Sequence, residues 1–324
     1  MKVDNDKFHP HYPHKPIVEP QCLALLLNSS LERLYYLASN KDTLYRSVPI
    51  PKKDGGTRIT YDALPELKAV QQNIVKKILQ KVNFPRYLHG GIRDVLFPRD
   101  QLSNAAQHVG AQTLILDDVA NFYPSISEKT VFNIWFHVFR FPPEISELLT
   151  QLTTYQGSVP QGAKTSSYLA NLAFWDVEGD LVKKLELEGL TYSRFVDDVT
   201  ISATSKISKH LKTKCRSLIY GMMASINCSP KRSKSQIQHK GQQLKVTGLV
   251  TNSASPAVEK DERKRIRSAV HELEIAAKVD GSTENNQRLW RQTRGRVARL
   301  IRMKHPDGNR FMSRLNSIHP LLFG

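Results

Sequence analysis

Apolar residues recur every three or four positions along several long stretches of the chain, a spacing typical of helices that bury one face. This pattern predicts helices over 22–38, 65–82, 128–138, 145–153, 165–188 and 206–224. Beyond residue 256 a basic region continues the same spacing, and its apolar face would consist of Ile266, Ala269, Val270, Leu273 and Ala277. No internal repeat is visible, so these elements belong to a non-repetitive fold.

Short apolar and β-branched runs between these helices predict strands. A hairpin is expected over 44–60, because Asp54-Gly55-Gly56 favours a tight turn between two such runs. Further strands are expected at 114–116, on both sides of the pair Asp197-Asp198, and at 245–251. The segment 252–256 is expected to be a linker.

The length and charge of the chain narrow the possible functions. Its 324 residues exceed one ordinary core, so two or three subdomains are expected, and 40% hydrophobic residues argue against general disorder. The 47 Lys and Arg against 30 Asp and Glu give a formal charge of +17. Such an excess favours nucleic acid as a partner, with a membrane surface as the alternative. No apolar run approaches the roughly 20 residues of a spanning helix.

The cysteines and the N-terminus add two smaller expectations. Cys22, Cys215 and Cys228 lack metal-ligand spacing and suggest reduced thiols. Because no secretory signal peptide opens the chain, a cytoplasmic protein is expected. The first twenty residues carry four prolines and three histidines, which predicts a flexible arm over 1–20 in preference to a histidine metal site.

Acidic residues stand at two places where chemistry is expected. Asp117 and Asp118 end a short apolar strand, and Asp197-Asp198 lies in a hairpin. Adjacent carboxylates repel each other and are stabilised by a hard cation such as Mg²⁺, although such a pair alone is more often a solvated turn. Carboxylates from separate elements suit two-metal phosphoryl transfer, which also needs cations near the substrate phosphates. The early hairpin offers three candidate cations: Lys52, Lys53 and Arg58.

Five short segments occur in an informative order. They are Asn-Ala-Ala-Gln-His at 104–108, Leu-Asp-Asp-Val-Ala-Asn-Phe-Tyr-Pro-Ser at 116–125, Val-Pro-Gln-Gly-Ala-Lys-Thr-Ser at 159–166, Phe-Val-Asp-Asp at 195–198 and Val-Thr-Gly at 246–248. Together they resemble the motifs of bacterial retron-type reverse transcriptases, over roughly the middle two thirds of the chain. The first and last segments resemble the Asn-Ala-x-x-His and Val-Thr-Gly signatures of retron enzymes.

The resemblance implies a role for each motif. The catalytic and metal-binding set would be Asp118, Asp197 and Asp198 with the Val119 carbonyl, holding two Mg²⁺ or Mn²⁺ ions, and Asp117 is the alternative to Asp118. The nucleotide-binding set would be Lys52, Lys53, Arg58, Tyr123, Gln161, Gly162 and Lys234. Tyr123 would exclude a ribose 2′-OH, and Arg58 would bind the triphosphate. The nucleic-acid-binding set would be Asn104, His108, Phe195, Val246, Thr247, Gly248, Arg288, Arg291, Arg294, Arg299 and Arg302.

Two departures from the family pattern are visible. Phe195 stands where Tyr-x-Asp-Asp has a tyrosine, which removes a hydroxyl near the primer terminus. Lys164 and Ser167 stand where prolines are common in the family. Neither departure changes a residue of the implied metal site, so activity is still expected.

The implied architecture is an α+β right hand with fingers, a palm containing an antiparallel sheet, and a helical thumb. We expect an N-terminal helix and fingers over 21–110, palm with part of the fingers over 111–252, and a basic thumb over 253–324 that follows a phosphate backbone.

The implied activity is reverse transcription of part of a partner non-coding RNA of the msr-msd type. dNTPs would be added from an internal guanosine 2′-OH, giving branched RNA-linked single-stranded DNA (msDNA), in anti-phage defence with an effector protein. Two alternatives are an inactive structured-RNA-binding protein of the same fold, and a group II intron or diversity-generating reverse transcriptase.

Overall fold

A five-stranded sheet forms the centre of the computed structural model, which describes residues 7–51 and 55–324. The strands are β1 (Tyr45–Pro51), β2 (Thr57–Ala63), β3 (Leu88–His89), β4 (Thr113–Asp118), β5 (Thr191–Phe195), β6 (Asp198–Ala203), β7 (Gln236–His239), β8 (Lys245–Val246) and β9 (Leu249–Val250). The central order is β3-β5-β6-β4-β7. Only β3 pairs in parallel, with β5, and the other neighbours are antiparallel.

Helices precede, separate and follow these strands. They are α1 (Pro20–Leu26), α2 (Leu31–Ser39), α3 (Pro65–Lys77), α4 (Gln101–Ala106), α5 (Phe122–Ser125), α6 (Glu128–Asn133), α7 (Pro143–Thr153), α8 (Ser166–Leu172), α9 (Glu178–Leu187), α10 (Lys209–Ala224), α11 (Lys260–Val279), α12 (Glu284–Arg302) and α13 (Asp307–Phe323). A 3₁₀ turn at Leu79–Lys81 follows α3, and a π turn at Ile134–Val138 follows α6.

The predicted early hairpin is confirmed, because β1 and β2 pair antiparallel from Tyr45 opposite Ala63 to Pro51 opposite Thr57. Lys52 and Lys53, which are predicted to bind the nucleotide, fall in the sequence between these two strands. Both lysines lie outside the described residues.

Two helices that were predicted to be continuous are each divided into two. The expected helix over 22–38 is divided into α1 and α2, because Asn28 adopts a left-handed backbone conformation and the Ser30 side chain caps the start of α2. The expected helix over 165–188 is divided into α8 and α9 by a turn at 173–177. There the last α8 carbonyls, Ala170 and Asn171, accept hydrogen bonds from the buried Arg194 guanidinium.

The expected strand over 245–251 is instead a tight hairpin of β8 and β9. Thr247 and Gly248 both have positive φ, at 45° and 76°, which is the geometry of a two-residue turn of type I′. The Val-Thr-Gly segment is therefore a chain reversal. The strand β7, which the sequence analysis did not predict, is short and half-exposed, so its apolar pattern is weak.

The N-terminal segment differs from the predicted flexible arm. From residue 7 onward it packs on the fold: His11 exchanges backbone hydrogen bonds with Asn83, at 3.1 and 2.8 Å. Tyr12 is only 4% exposed, and its ring packs against Phe139 and Phe141. A buried aromatic ring stabilises the segment, so flexibility is the wrong expectation for residues 7–20.

Two hydrophobic cores divide the described residues. The larger joins the N-terminal helices, the sheet and α10. The smaller joins α11, α12 and α13 and extends back to Ala105, Leu114 and Val246. We call this smaller core the thumb core, because its helices lie within the expected thumb over 253–324. It also includes side chains that precede residue 253. Among the described helices, none is both long and apolar enough to cross a membrane.

Candidate active site

The site is built on the turn between β5 and β6. Phe195 pairs with Asp198, which leaves Val196 and Asp197 as the turn itself. Asp118 on β4 is the registered partner of Asp198. The Val119 N–H donates to the Asp197 carbonyl at 3.0 Å, which ties the turn to β4. The sheet register therefore brings Asp118 next to the Asp197-Asp198 pair.

Asp117 and Asp118 point to opposite faces of β4, as successive strand residues must. Asp117 accepts a hydrogen bond from the Tyr220 hydroxyl of α10 at 3.2 Å. Burial raises the pKa of Asp117, partly opposed by hydrogen bonds and by Arg216. Asp118 instead accepts a hydrogen bond from the Lys234 ammonium on the side of the turn. The geometry groups Asp118, and not Asp117, with the acidic pair.

Burial and the neighbouring carboxylates raise the pKa of two members of the cluster, Asp197 and Asp198. Burial, followed by the charges of Asp197 and Asp118, raises the pKa of Asp198 to about 7. Burial and the charge of Asp118 raise the pKa of Asp197. Burial lowers the pKa of Lys234, but the hydrogen bond to Asp118 and the acidic charges outweigh this effect, so that its pKa is raised. The three carboxylates outnumber the two nearby cations, Lys234 and Arg58, so the site needs a further positive charge when all three are ionised.

This donor set fits a hard divalent cation, because carboxylate oxygens are the ligands that Mg²⁺ prefers and the excess charge needs a counter-ion. In the described part of the chain, no three His, Cys, Asp or Glu side chains already surround one point as metal ligands would. A cation at Asp118 would compete with the hydrogen bond that Lys234 donates to this carboxylate. The residues that could hold the ion are Asp118, Asp197 and Asp198, with the Val119 carbonyl beside them.

Two residues that are predicted to bind the nucleotide, Tyr123 and Arg58, lie near Asp197. Burial raises the pKa of Tyr123 to about 12, helped by the charge of Asp197 and opposed by that of Arg58. The Arg58 side chain is exposed on β2. Its cation therefore remains available to an incoming anion.

The loop before α8 supports the same hairpin. The Tyr61 N–H of β2 donates to the Gln161 carbonyl at 2.8 Å. Gly162 has φ +118°, and a Cβ at this position would lie 2.9 Å from the Tyr61 carbonyl oxygen. Only glycine allows this close approach, so the loop positions β2 and, with it, Arg58.

The retron-like signatures meet each other away from the surface. Asn104 and His108 are buried, and the Asn104 amide donates to the Thr247 hydroxyl at 3.4 Å. Val246 is also buried, in the thumb core. The prediction that Asn104, His108 and Val246 contact nucleic acid is therefore wrong for this arrangement, because all three side chains are used inside the fold. Asn104 and Val246 lie where α4 meets the hairpin of β8 and β9, and His108 bonds to two serine hydroxyls within the sheet. Thr247 and Gly248 retain exposed surface, so for them it stays a prediction.

Phe195 is half-buried beside the turn. A Cβ built on Gly90 would meet its ring at 3.0 Å, so the glycine makes room for this ring. Contact with the primer terminus stays a prediction for Phe195.

The predicted arginines of α12 do not share one environment. Arg288, Arg291 and Arg294 are exposed, with Arg291 over the Phe323 ring and Arg294 over the Trp290 ring. Arg299 is half-buried, and Arg302 forms an ion pair with Asp100, the N-cap of α4. The first three therefore offer the freest cations of the predicted set, and Arg302 links the thumb to α4.

Sequence reasoning missed the buried pair Arg194 and Glu178 behind the turn. Arg194 donates to both carboxylate oxygens of Glu178, at 2.6 and 2.8 Å. The available signal was a charged residue inside the short strand that directly precedes the Asp-Asp motif. Such a residue is usually exposed, which is why the pattern did not indicate it.

The chain matches a known protein family and several known relatives. The family described as "Reverse transcriptase (RNA-dependent DNA polymerase)" matches residues 50–251. The chain is 34% identical to the Retron Se72 reverse transcriptase of Salmonella heidelberg, covering 96% of this chain and 82% of that protein. It is 35% identical to the Retron Ec48 reverse transcriptase of Escherichia coli, covering 98% and 80%.

Among solved structures, the chain is similar to a telomerase from Candida albicans in complex with a TWJ fragment of telomeric RNA. The TM-score is 0.46 at 10% identity, covering 85% of this chain and 59% of that chain.

Proposed function

Because this chain belongs to the reverse transcriptase family, as an RNA-directed DNA polymerase of the retron type, we propose that it polymerises DNA at Asp118, Asp197 and Asp198. The observation that carries the proposal is the group of three carboxylates, where burial and then the charges of Asp197 and Asp118 raise the pKa of Asp198 to about 7. Such a cluster is costly unless cations bind there.

The carboxylates act by binding divalent cations, Mg²⁺ or Mn²⁺, two of which would supply Lewis-acid stabilisation of the attacking and leaving oxygens. Asp118 and Asp197 would be the primary ligands, and Asp198 would complete the acidic face. Lys234, which donates to Asp118 here, would be available to the substrate phosphates when cations neutralise that carboxylate.

The remaining side chains position the nucleotide. Arg58 binds the triphosphate, since a guanidinium forms two parallel hydrogen bonds with phosphate oxygens. Tyr123 lies beside Asp197 and excludes a ribose 2′-OH by its bulk, which favours dNTPs. Gln161 and Gly162 hold β2 in register with the site. Phe195 contacts the primer terminus.

The product is branched RNA-linked single-stranded DNA, copied from part of a partner non-coding RNA of the msr-msd type and started at a guanosine 2′-OH. The similarity to retron enzymes over nearly the whole chain supports this product. We propose a role in anti-phage defence, together with an effector protein, on the same ground.

The site is tested by dNTP incorporation on a primed RNA template with the purified full chain. Asp118→Asn and Asp197→Asn should each lose at least about 10²-fold in rate, because each removes a charge from the cation site. Asp117→Asn is the matched control and should stay within a few-fold of wild type, because Asp117 faces α10. Full activity of Asp197→Asn would contradict the proposed site.

The product is tested on nucleic acid that co-purifies with the full chain. Separate digestion with RNase and DNase should shorten it in both cases. Material sensitive to RNase alone would contradict an RNA-linked DNA product.

A further inference from the structure

A fully buried ion pair lies directly behind the catalytic turn. The side chain of Arg194 is 0% exposed and that of Glu178 is 2% exposed. Tyr192 adds a hydrogen bond from its hydroxyl to Glu178 at 2.7 Å. Burying two charges costs desolvation energy, and well-packed apolar residues in place of such a pair are often as stable or more stable. Stability alone is therefore a weak explanation for this pair.

Every N–H of the Arg194 guanidinium group has an acceptor. Two bonds go to Glu178, at 2.6 and 2.8 Å. The other three reach backbone carbonyls: Val196 in the turn at 2.9 Å, Asn171 at 3.1 Å and Ala170 at 3.3 Å at the end of α8. An arginine has five such donors in a fixed planar fork, so the side chain has a single fully bonded orientation here.

The same guanidinium also contacts the element that follows Asp118. Its carbon lies 5.8 Å from the ring centroid of Phe122, in α5, and 5.3 Å from that of Phe174. The two rings are stacked, with centroids 5.5 Å apart. One side chain thus connects three motif elements, α5, α8 and the catalytic turn, which belong to or directly follow the segments 116–125, 159–166 and 195–198.

The turn needs such support because its backbone is strained. Val196 is β-branched and has φ +58°, a conformation that persists only where the surroundings hold it. Its N–H donates to the His89 carbonyl at 3.1 Å, and its carbonyl accepts from Arg194. These two bonds fix the peptide groups on either side of the Val196 Cα, immediately before Asp197.

We propose that Arg194, oriented by Glu178, is a positioning residue that fixes the Val196 peptide so that Asp197 and Asp198 face Asp118 in the reactive geometry. It touches neither substrate nor metal and acts only through the turn. The role rests on the proposed catalytic function of the aspartates. Its loss should lower kcat and leave substrate binding nearly unchanged.

The first test is Arg194→Lys in the full chain, assayed with dTTP on poly(rA) primed by oligo(dT) in Mg²⁺. Lysine keeps the charge but cannot reach Glu178 and the Val196 carbonyl together with one ammonium. We expect kcat to fall by about tenfold or more and KM for dTTP to stay within about threefold, since displacements near 1 Å have effects of this size.

Arg314→Lys is the matched control, because Arg314 forms a similar two-bonded pair with Glu274 in the thumb, at 2.7 and 2.6 Å. This pair contacts none of the three motif elements. The same chemical change there should leave kcat at the wild-type value. An equal fall in kcat in both variants would overturn the positioning role.

A second variant separates positioning from stability. The combination Arg194→Met, Glu178→Leu and Tyr192→Phe removes the buried charges and their polar partner while it keeps apolar packing. We expect a thermal midpoint close to that of wild type, with kcat still lowered by about tenfold. Wild-type kcat in this folded variant, or in folded Arg194→Lys, would overturn the proposal.

Two measurements complete the test. Asp197→Asn is assayed in parallel: if it stays active, the proposed catalytic site fails, whereas if only Arg194→Lys stays active, the positioning role alone fails. Amide hydrogen exchange of the wild-type segment 193–199 needs no variant. Slow exchange is expected for a fixed turn, and exchange as fast as in an unstructured peptide would overturn the proposal.

Discussion

His108 shows how a single residue of a sequence signature can serve the fold. Its ring lies between two strands, with Nδ1 2.8 Å from the Ser202 hydroxyl and Nε2 2.7 Å from that of Ser193. Burial, and then the neighbouring His89, lower the pKa of His108 to about 3. The imidazole is therefore neutral in the folded protein, and both ring nitrogens are used within the sheet.

This geometry predicts how stability depends on pH. Between about pH 3 and pH 6.5, the unfolded chain binds a proton at His108 that the folded chain does not bind. The free energy of unfolding should therefore fall on acidification through this window, by about 1.4 kcal/mol per pH unit for one proton. His108→Gln should reduce the slope by nearly one proton in urea titrations at pH 4.5 to 6.5.

The exposed His210 on α10 supplies the control. His210→Gln should leave the slope of stability against pH as in wild type. An unchanged slope in His108→Gln would show that the buried imidazole does not titrate in this way.

At the scale of elements, the hydrophobic period predicted where helices and strands lie, but not where they break. The hairpin of β1 and β2 carries its own turn signal, Asp54-Gly55-Gly56, and was predicted correctly. The division between α8 and α9 depends on hydrogen bonds from Arg194, which lies on β5. The local sequence of the two helices therefore does not predict the division. The buried state of Asn104 has the same kind of cause, because its partner Thr247 is 143 residues away.

The contact between the Gln161-Gly162 loop and β2 leads to a prediction at this scale. Gly162→Ala places a Cβ 2.9 Å from the Tyr61 carbonyl oxygen and requires a backbone conformation that alanine rarely adopts. β2 should move away from the loop, and Arg58 should move with it. We expect KM for dNTP to rise about tenfold in steady-state incorporation, with a smaller change in kcat.

A variant at Gly157 distinguishes the effect of backbone strain from that of the contact with β2. Gly157 also has positive φ, at +80°, but a Cβ there would meet nothing within 4 Å. Gly157→Ala should therefore lower the thermal midpoint without changing KM. A rise in KM in both variants would mean that general destabilisation, and not the position of β2, governs nucleotide binding.

At the scale of the whole molecule, the sequence was most informative about the class of partner and the fold class. The +17 charge indicates nucleic acid, and the motif order indicates the polymerase fold, which the family match confirms. The thumb core could not be delimited in this way, because it recruits Ala105 and Leu114 from distant parts of the chain. The sequence also could not show which of the five predicted arginines are available to nucleic acid, because the ion pair of Arg302 with Asp100 exists only in the folded molecule.

That difference among the arginines predicts how the thumb binds nucleic acid. Replacing Arg288, Arg291 and Arg294 together by Gln should weaken binding to a labelled RNA–DNA duplex, measured by fluorescence anisotropy from 50 to 300 mM KCl. Each lost phosphate contact should reduce the slope of log K against log salt by about 0.9, roughly 2 to 3 in total.

Arg302→Gln is the contrasting variant, since its guanidinium is engaged by Asp100 at the start of α4. It should leave the salt slope nearly unchanged and lower the thermal midpoint, because the thumb loses a link to α4, which lies between β3 and β4 in the chain. A triple variant with the wild-type slope would place the phosphate contacts on another basic surface. An equally reduced slope in Arg302→Gln would mean that this ion pair opens when the duplex binds, so that all four arginines face the phosphates together.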